Sequence, residues 1–215
     1  MKKSYVIKRV DKDNINRVGF WDDIPKASID NYPWDNNGYM PETYVKLCYT
    51  EDGLYIRFFS KEPEIKAIYT KPNESAYKDS CVEFFINPNP YKDDRYMNFE
   101  TNCIGTLLLG IGRGRQNREL ISPKEQRVFN ISTMLSVDTM SDYDGEGWDI
   151  IYTIPFSFIK KYYEQIEIGS GHEMLGNFYK CGDGTKYPHF GCWNRIENDM
   201  PDFHRPECFG KLILE

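Results

Sequence analysis

The sequence predicts an all-β protein, an antiparallel β-sandwich of jelly-roll-like form with one short helix, in which residues 1–215 form a single domain. Apolar and polar residues alternate with a period of two in many short runs, and clusters of Gly, Pro, Asn and Asp separate these runs. Aromatic residues make up 15% of the 215 residues, and rings favour pleated sheet over helix. Many short strands with turns between them are typical of sandwiches and barrels.

The first two strands are predicted as a hairpin. Residues 43–49 and 54–58 alternate, and Asp52-Gly53 between them is a strong hairpin signal. The helix is predicted over residues 155–164, where Phe156, Ile159 and Tyr163 recur at helical spacing. The other predicted strands cover residues 81–86, 96–102, 106–109, 127–131, 134–137, 148–154, 177–180 and 209–214.

The charge balance argues against two classes of partner, nucleic acid and membrane. Lys plus Arg number 27 against 33 Asp plus Glu, so the net charge is −6, whereas a nucleic-acid or anionic-membrane binder needs a basic face. No segment approaches the roughly 20 apolar residues needed to cross a bilayer. The first residues carry no apolar run of signal-peptide length, so a cytoplasmic protein with six reduced cysteines is expected.

Catalytic and metal motifs are weak. The three histidines occur with no G-x-S-x-G or H-E-x-x-H motif. The glycine-rich residues 110–115 lack phosphate-loop spacing and are interpreted as a strand exit, with Arg113, Arg115 and Arg118 as a solvated basic cluster. No cofactor is predicted. The four acids of residues 138–146 could hold Ca²⁺, although a solvated acidic turn is the favoured interpretation.

Two predicted strands carry an unusual row of polar side chains. In residues 81–86, alternation places Glu83 on the face opposite Val82 and Phe84. The next strand turns a row of four hydrogen-bonding side chains to one face: Tyr96, Asn98, Glu100 and Asn102. If this row lies beside Glu83, the sheet presents the carboxylate, amide and phenol groups that a polyhydroxylated ligand requires. The alternative from alternation alone is a solvent-facing strand edge.

The same residues resemble family-9 carbohydrate-binding modules and their free-standing relatives. Four segments carry the resemblance and span nearly the whole chain: Val45-x-Leu47-x-Tyr49 with Gly53-Leu54-Tyr55-Ile56; Tyr77-x-Asp79-Ser80-x-Val82-Glu83-x-Phe85; Tyr96-x-Asn98-Phe99-Glu100-x-Asn102-x-x-Gly105; and Trp193-Asn194 with Pro201-x-Phe203-His204-Arg205-Pro206-Glu207-x-Phe209-Gly210-Lys211-Leu212.

The resemblance implies a β-sandwich that binds saccharides without cleaving them. In xylanase-attached members a terminal sugar is clamped between two tryptophan rings, with hydrogen bonds from a Glu, an Arg and an Asn. The first ring position falls on Tyr77 and the second on or near Phe203, with Trp193 as a neighbouring candidate. The carboxylate maps to Glu83 and the amide to Asn102. The arginine position falls on Glu100, a departure that would alter which hydroxyls are bound, or abolish sugar binding.

Three functional hypotheses follow. The first is a non-catalytic carbohydrate-binding domain whose site comprises Tyr77, Glu83, Glu100, Asn102, Trp193 and Phe203. The second is an enzyme acting on a saccharide with Glu83 and Glu100 as an acid/base pair, which needs one carboxyl kept protonated by an apolar pocket. The third is a sandwich-shaped interaction module that has lost sugar binding.

Overall fold

In the computed structural model, which describes residues 2–215, the chain consists mainly of β-strands. The strands are β1 Ser4–Arg9, β2 Lys26–Ser28, β3 Glu42–Tyr49, β4 Gly53–Lys61, β5 Cys81–Asn87, β6 Tyr96–Asn102, β7 Leu107–Gly112, β8 Glu119–Leu120, β9 Ser132–Thr133, β10 Trp148–Pro155, β11 Glu173–Cys181, β12 Phe190–Cys192 and β13 Gly210–Leu214. The α-helices are α1 Pro123–Gln126 and α2 Phe156–Tyr162. Short 3₁₀ turns lie at Lys12–Asn14, Phe20–Asp23, Ala76–Lys78, Arg127–Phe129, Met140–Asp142 and Pro206–Cys208.

The strands form two sheets that share β1. The front sheet has the order β8-β7-β6-β5-β11-β13-β1, with β12 beside β11, and the back sheet has the order β1-β3-β4-β10-β9, with β2 beside β3. The first four residues of β1 pair with β13 and its last two residues pair with β3, both in parallel. The other strand pairs within residues 2–215 are antiparallel. The predicted antiparallel sandwich is therefore confirmed, with β1 as the exception.

The hydrophobic core lies between the two sheets. Rings from the front sheet meet rings from the back sheet: Phe178 lies 6.2 Å from Phe58, and Phe99 lies 5.9 Å from Tyr152, between ring centroids. The alternating residues Val82, Phe84 and Ile86 of β5 all point into this core, as predicted. Because strand side chains alternate, every other residue of β5 must lie on the opposite, outer face of the front sheet.

Two predicted strands and the helix count are wrong. Residues 127–129 form a 3₁₀ turn, and residues 130–131 and 134–137 lie outside any strand. The cause is an N-cap at Ser122, whose carbonyl and hydroxyl oxygens accept hydrogen bonds from the first N–H groups of α1, while the hydroxyl donates to the Glu125 carboxylate. Helical turns therefore continue to Phe129, and Asn130 ends them in the left-handed region at φ 48°. The structure has α1 in addition to the predicted helix.

The predicted hairpin between β3 and β4 is present. Thr50 N–H donates to the Gly53 carbonyl at the turn. Gly53 is required by a close backbone approach, since a Cβ there would lie 2.5 Å from the Ile154 carbonyl oxygen.

As for membranes, none of the helices within residues 2–215 combines the length and the apolar character that a bilayer crossing requires.

A fully buried ion pair joins the two sheets at one end of the core. Lys180 of β11 places its Nζ 2.9 Å from Oε1 of Glu62, the residue that follows β4. Trp148 Nε1 donates to the other carboxylate oxygen of Glu62 at 2.8 Å. The Lys180 ammonium also donates to the His189 imidazole at Nε2, 2.9 Å away. Because these groups have no access to water, each charge depends on its partner.

We expect Lys180→Met and Glu62→Gln each to lower the free energy of unfolding by about 3–5 kcal/mol, because either substitution leaves a buried charge unpaired. Urea denaturation measures the loss. The matched control is Lys186→Met, which breaks the exposed pair Lys186–Glu64 and should change stability by less than about 1 kcal/mol. Equal effects of the buried and exposed substitutions would contradict this assignment.

His189 should make the protein sensitive to acid. Burial and the neighbouring Lys180 ammonium lower the pKa of His189 to about 3, against about 6.5 in an unfolded chain. Between these values the unfolded chain binds more protons, so the contribution of His189 is present above pH 6.5 and is lost as the pH falls towards 3. We expect the stability advantage of the wild type over His189→Gln to shrink by about 2 kcal/mol between pH 6.5 and pH 4.5. Parallel pH profiles of the two proteins would be inconsistent with this.

Candidate functional site

The polar row predicted from the sequence lies on the outer face of the front sheet. Strands β5 and β6 pair so that Glu83 is directly opposite Glu100. The neighbouring pairs on the same face are Phe85 with Asn98 and Cys81 with Asn102. Glu83 therefore lies beside the row, which is the condition that the sequence analysis set for a polar surface, and its position follows from alternation plus register.

The middle of this face forms the floor of a cleft of about 250 Å³. Tyr96 and Asn102, at the two ends of the row, are fully buried: Arg118 and His204 contact Tyr96, and residues between β4 and β5 bind Asn102. The floor consists of Glu83, Phe85, Asn98, Glu100 and Leu108. The walls are Tyr77, Arg115, Arg118, Asp183, Phe190, Pro201, Asp202, Phe203 and His204.

Four of the six site residues named from the sequence line the cleft. Glu83 and Glu100 lie in its floor, and Tyr77 and Phe203 lie in its walls. Tyr77 is partly exposed, with the Lys78 ammonium 5.8 Å from its ring centroid. Phe203 stacks on Tyr179 at 4.1 Å, with 10° between the ring planes. One face of the Phe203 ring is therefore already covered.

Asn102 and Trp193 do not line the cleft. The Asn102 amide donates to the Tyr69 carbonyl at 2.8 Å and to the Asp79 carboxylate at 2.9 Å, and its oxygen accepts from the Thr106 N–H. Asn102 therefore fixes the loops at the end of β6. The Trp193 ring packs 5.2 Å from Phe178 and belongs to the core between the sheets. Both residues hold the fold together in this structure.

The two floor carboxyl groups are held by uncharged donors. The Cys181 thiol donates to Glu83 Oε1 at 3.0 Å, and the Asn98 amide donates to Glu100 Oε1 at 2.6 Å. Burial raises the pKa of both carboxyl groups, that of Glu83 most strongly. Two carboxylates directly opposite each other also repel. The raised pKa values favour a state in which the two carboxyl groups keep a proton, and a protonated carboxyl group in the floor could donate as well as accept hydrogen bonds.

Arg118, which the sequence analysis placed in a solvated cluster, lines the cleft and organises its floor. Its Nε donates to the Asn98 oxygen at 2.8 Å, and Asn98 in turn donates to Glu100, so the guanidinium orients the carboxyl through an amide. Its other nitrogens donate to the Tyr96, Gly110 and Gly114 carbonyls. The guanidinium also lies 4.4 Å from the Tyr96 ring centroid.

Because Gly110 has no side chain, it leaves room for the Arg118 side chain to cross β7 and reach Asn98. A Cβ at that position would lie 3.0 Å from the Asn98 side-chain oxygen and 3.3 Å from Arg118 Nε. The spacing Gly110-x-Gly112 on one face of β7 was thus the available signal that another side chain crosses this strand.

His204 also lines the cleft, with Nδ1 2.8 Å from the Tyr96 hydroxyl. Burial lowers the pKa of His204 to about 3, so the imidazole is neutral near pH 7.

One group of side chains in the described residues 2–215 has the composition of a metal site. Cys81, Glu83 and Cys181 offer ligand atoms that all lie within 4.8 Å of one another. In that same part of the chain, the acids of residues 138–146 do not form such a group.

The family model for carbohydrate-binding family 9 matches residues 15–214. The chain belongs to this family. No curated protein matches it. A solved protein from Bacteroides uniformis, proposed to bind carbohydrate, shares 30% identity with a TM-score of 0.83, covering 100% of both chains.

Two solved structures of a family-9 module from Caldicellulosiruptor kristjanssonii, in complex with glucose and with cellotriose, have TM-scores of 0.64 and 12% identity. Each match covers 99% of this chain. It covers 96% of the chain solved with glucose and 94% of the chain solved with cellotriose. At this identity they show that the family-9 sandwich fold is shared.

We expect Arg118→Lys to lower the free energy of unfolding by about 1–3 kcal/mol, because a lysine keeps the charge but cannot satisfy three carbonyls and an amide at once. Thermal or urea denaturation measures this. Arg113→Lys is the control, since Arg113 is exposed and forms an exposed ion pair with Asp94. If both variants are as stable as the wild type, Arg118 does not organise the cleft floor.

Proposed function

We propose that this protein binds a mono- or oligosaccharide, without cleaving it, in the cleft on the outer face of the front sheet. The observation that carries the proposal is the floor pair Glu83 and Glu100, fixed in position by uncharged donors and bordered by aromatic walls. Membership of carbohydrate-binding family 9 supports a sugar ligand. So do the complexes of the C. kristjanssonii module with glucose and cellotriose.

The chemistry of the cleft suits adjacent hydroxyl groups. Carboxyl and amide groups in fixed directions can accept and donate hydrogen bonds to neighbouring hydroxyls in pairs. Tyr77 supplies a partly exposed ring for the apolar C–H face of a sugar. The volume of about 250 Å³ is below the roughly 300–1,000 Å³ of sites for drug-sized ligands, which favours one sugar unit in the cleft at a time.

The departure at Glu100 has a structural compensation in this proposal. The resemblance places an arginine of family-9 sites at the position of Glu100. Here Arg118, at the end of the loop after β7, brings a guanidinium to the wall of the same cleft and is linked to Glu100 through Asn98. A cation is thus retained near the ligand position from a different part of the chain.

Binding without cleavage is favoured by the placement of the two carboxyl groups. Glycoside hydrolysis requires two carboxyl groups that flank the scissile bond. Glu83 and Glu100 are neighbours in one floor, so both would meet the same side of a bound sugar. Turnover of aryl glycosides that disappears in Glu83→Gln would instead support the enzyme hypothesis.

We expect Tyr77→Ala and Glu83→Ala each to weaken sugar binding about tenfold or more, which corresponds to a loss of about 1.4 kcal/mol. A glycan array identifies the ligand, and isothermal titration calorimetry measures the affinity. The control is Tyr91→Ala, because Tyr91 is an exposed tyrosine outside the cleft.

Unchanged affinity in both cleft variants would remove the site assignment. A blank array with the folded wild-type protein would contradict sugar binding itself and favour the interaction-module hypothesis.

A further inference from the structure

Two thiols and a carboxyl group converge at the edge of the cleft floor. Cys81 of β5 and Cys181 of β11 are a direct cross-strand pair, and Glu83 lies two residues from Cys81 and therefore on the same face. All three residues are at most 3% exposed. The Cys181 sulfur lies 3.0 Å from Glu83 Oε1, and the three ligand atoms lie within 4.8 Å of one another.

We propose that Cys81, Cys181 and Glu83 form a binding site for Zn²⁺. Thiolate and carboxylate are both zinc ligands, with Zn–S near 2.3 Å and Zn–O about 2.0–2.2 Å. In a tetrahedral site such bonds place neighbouring ligand atoms roughly 3.5–3.8 Å apart. The observed spacing therefore needs only small side-chain movements to close around one ion.

The surroundings of this cluster favour a cation. Glu83 also faces Glu100 across the strand pair, and Asp183 lines the same cleft. Arg115 and Arg118 also line the cleft. Arg118 donates only to uncharged groups and keeps its charge, and Arg115 lies 3.6 Å from Asp202, so two guanidinium groups face the four acidic residues that line the cleft. Three ionised protein ligands would carry a charge of −3, which a divalent ion reduces to −1 in a site with little water.

The proposed coordination has an open position. Three protein ligands leave the fourth tetrahedral position for water or a ligand oxygen, as in zinc sites that act on bound molecules. Because Glu83 lines the cleft, a bound ion would lie next to the space proposed for the sugar. The metal site goes beyond the proposed sugar binding and does not depend on it, since its geometry is set by β5 and β11 alone.

Cobalt is the probe, since Co²⁺ occupies tetrahedral thiolate sites in the same way as Zn²⁺. The full chain is reduced, freed of metal with a chelator and titrated with Co²⁺ while absorbance is recorded. We expect one equivalent to produce a thiolate-to-cobalt charge-transfer band together with intense visible bands, and Zn²⁺ to abolish both. Cys81→Ser and Cys181→Ser should each weaken Co²⁺ binding at least tenfold.

The control is Cys48→Ala, because Cys48 is a buried thiol of the back sheet that packs in a separate cluster. Its cobalt spectrum should equal that of the wild type. Circular dichroism checks that each variant folds. If a serine variant does not fold, the melting temperature of the wild type provides a second test and should rise with Zn²⁺ and not with Mg²⁺.

Absence of the charge-transfer band and of a Zn²⁺-specific melting shift in the reduced wild type would overturn the proposal. So would bands that persist in the Cys81→Ser/Cys181→Ser double variant. Tyr77→Ala distinguishes this failure from failure of the proposed function, because it should lose sugar affinity and keep the cobalt spectrum. Sugar binding without cobalt binding refutes only the metal site, and cobalt binding without sugar binding refutes only the saccharide proposal.

Discussion

The pairing register of β5 with its two neighbours is the constraint on which the cleft depends. It sets Glu83 opposite Glu100 on one side and Cys181 opposite Cys81 on the other. A slip of one residue would move every side chain of β5 to the opposite face, placing Glu83 in the core and Phe84 in the cleft. The apolar residues that β5 turns inward therefore determine the chemistry that it turns outward. The register of β5 thus determines both the packing of the core and the side chains that line the cleft.

Much of the fold could be predicted because the signals are local. The Asp52-Gly53 hairpin and the inward set Val82, Phe84 and Ile86 follow from turn chemistry and alternation within a few residues. The error at residues 127–131 has a local cause too, since the cap at Ser122 extends helical turns over a run that alternates like a strand. The two parallel pairings of β1 were not predictable in this way, because they join segments that are not adjacent in the sequence: β1 pairs with β13 at the other end of the chain and with β3, which lies beyond β2.

The candidate site was predictable only in part, for the same reason. Alternation identified Glu83 and Glu100, and the family resemblance pointed to Tyr77 and Phe203. Neither alternation nor the resemblance could show that the Asn102 amide is already hydrogen-bonded to Tyr69 and Asp79, or that Trp193 packs in the core. Arg118 reaches the cleft by crossing a strand at Gly110, a contact defined by packing rather than by spacing in the sequence. The contacts of polar side chains in loops are the hardest to predict from sequence, because their partners lie far away along the chain.

A crystal structure of the protein with its best-binding saccharide tests the central claim most directly. We expect a sugar ring in the cleft, with its hydroxyl groups within hydrogen-bonding distance of Glu83 and Glu100 and its C–H face against Tyr77. A sugar bound elsewhere, for example in the groove between residues 90–95 and 111–119, with the front-sheet cleft left to solvent, would contradict it.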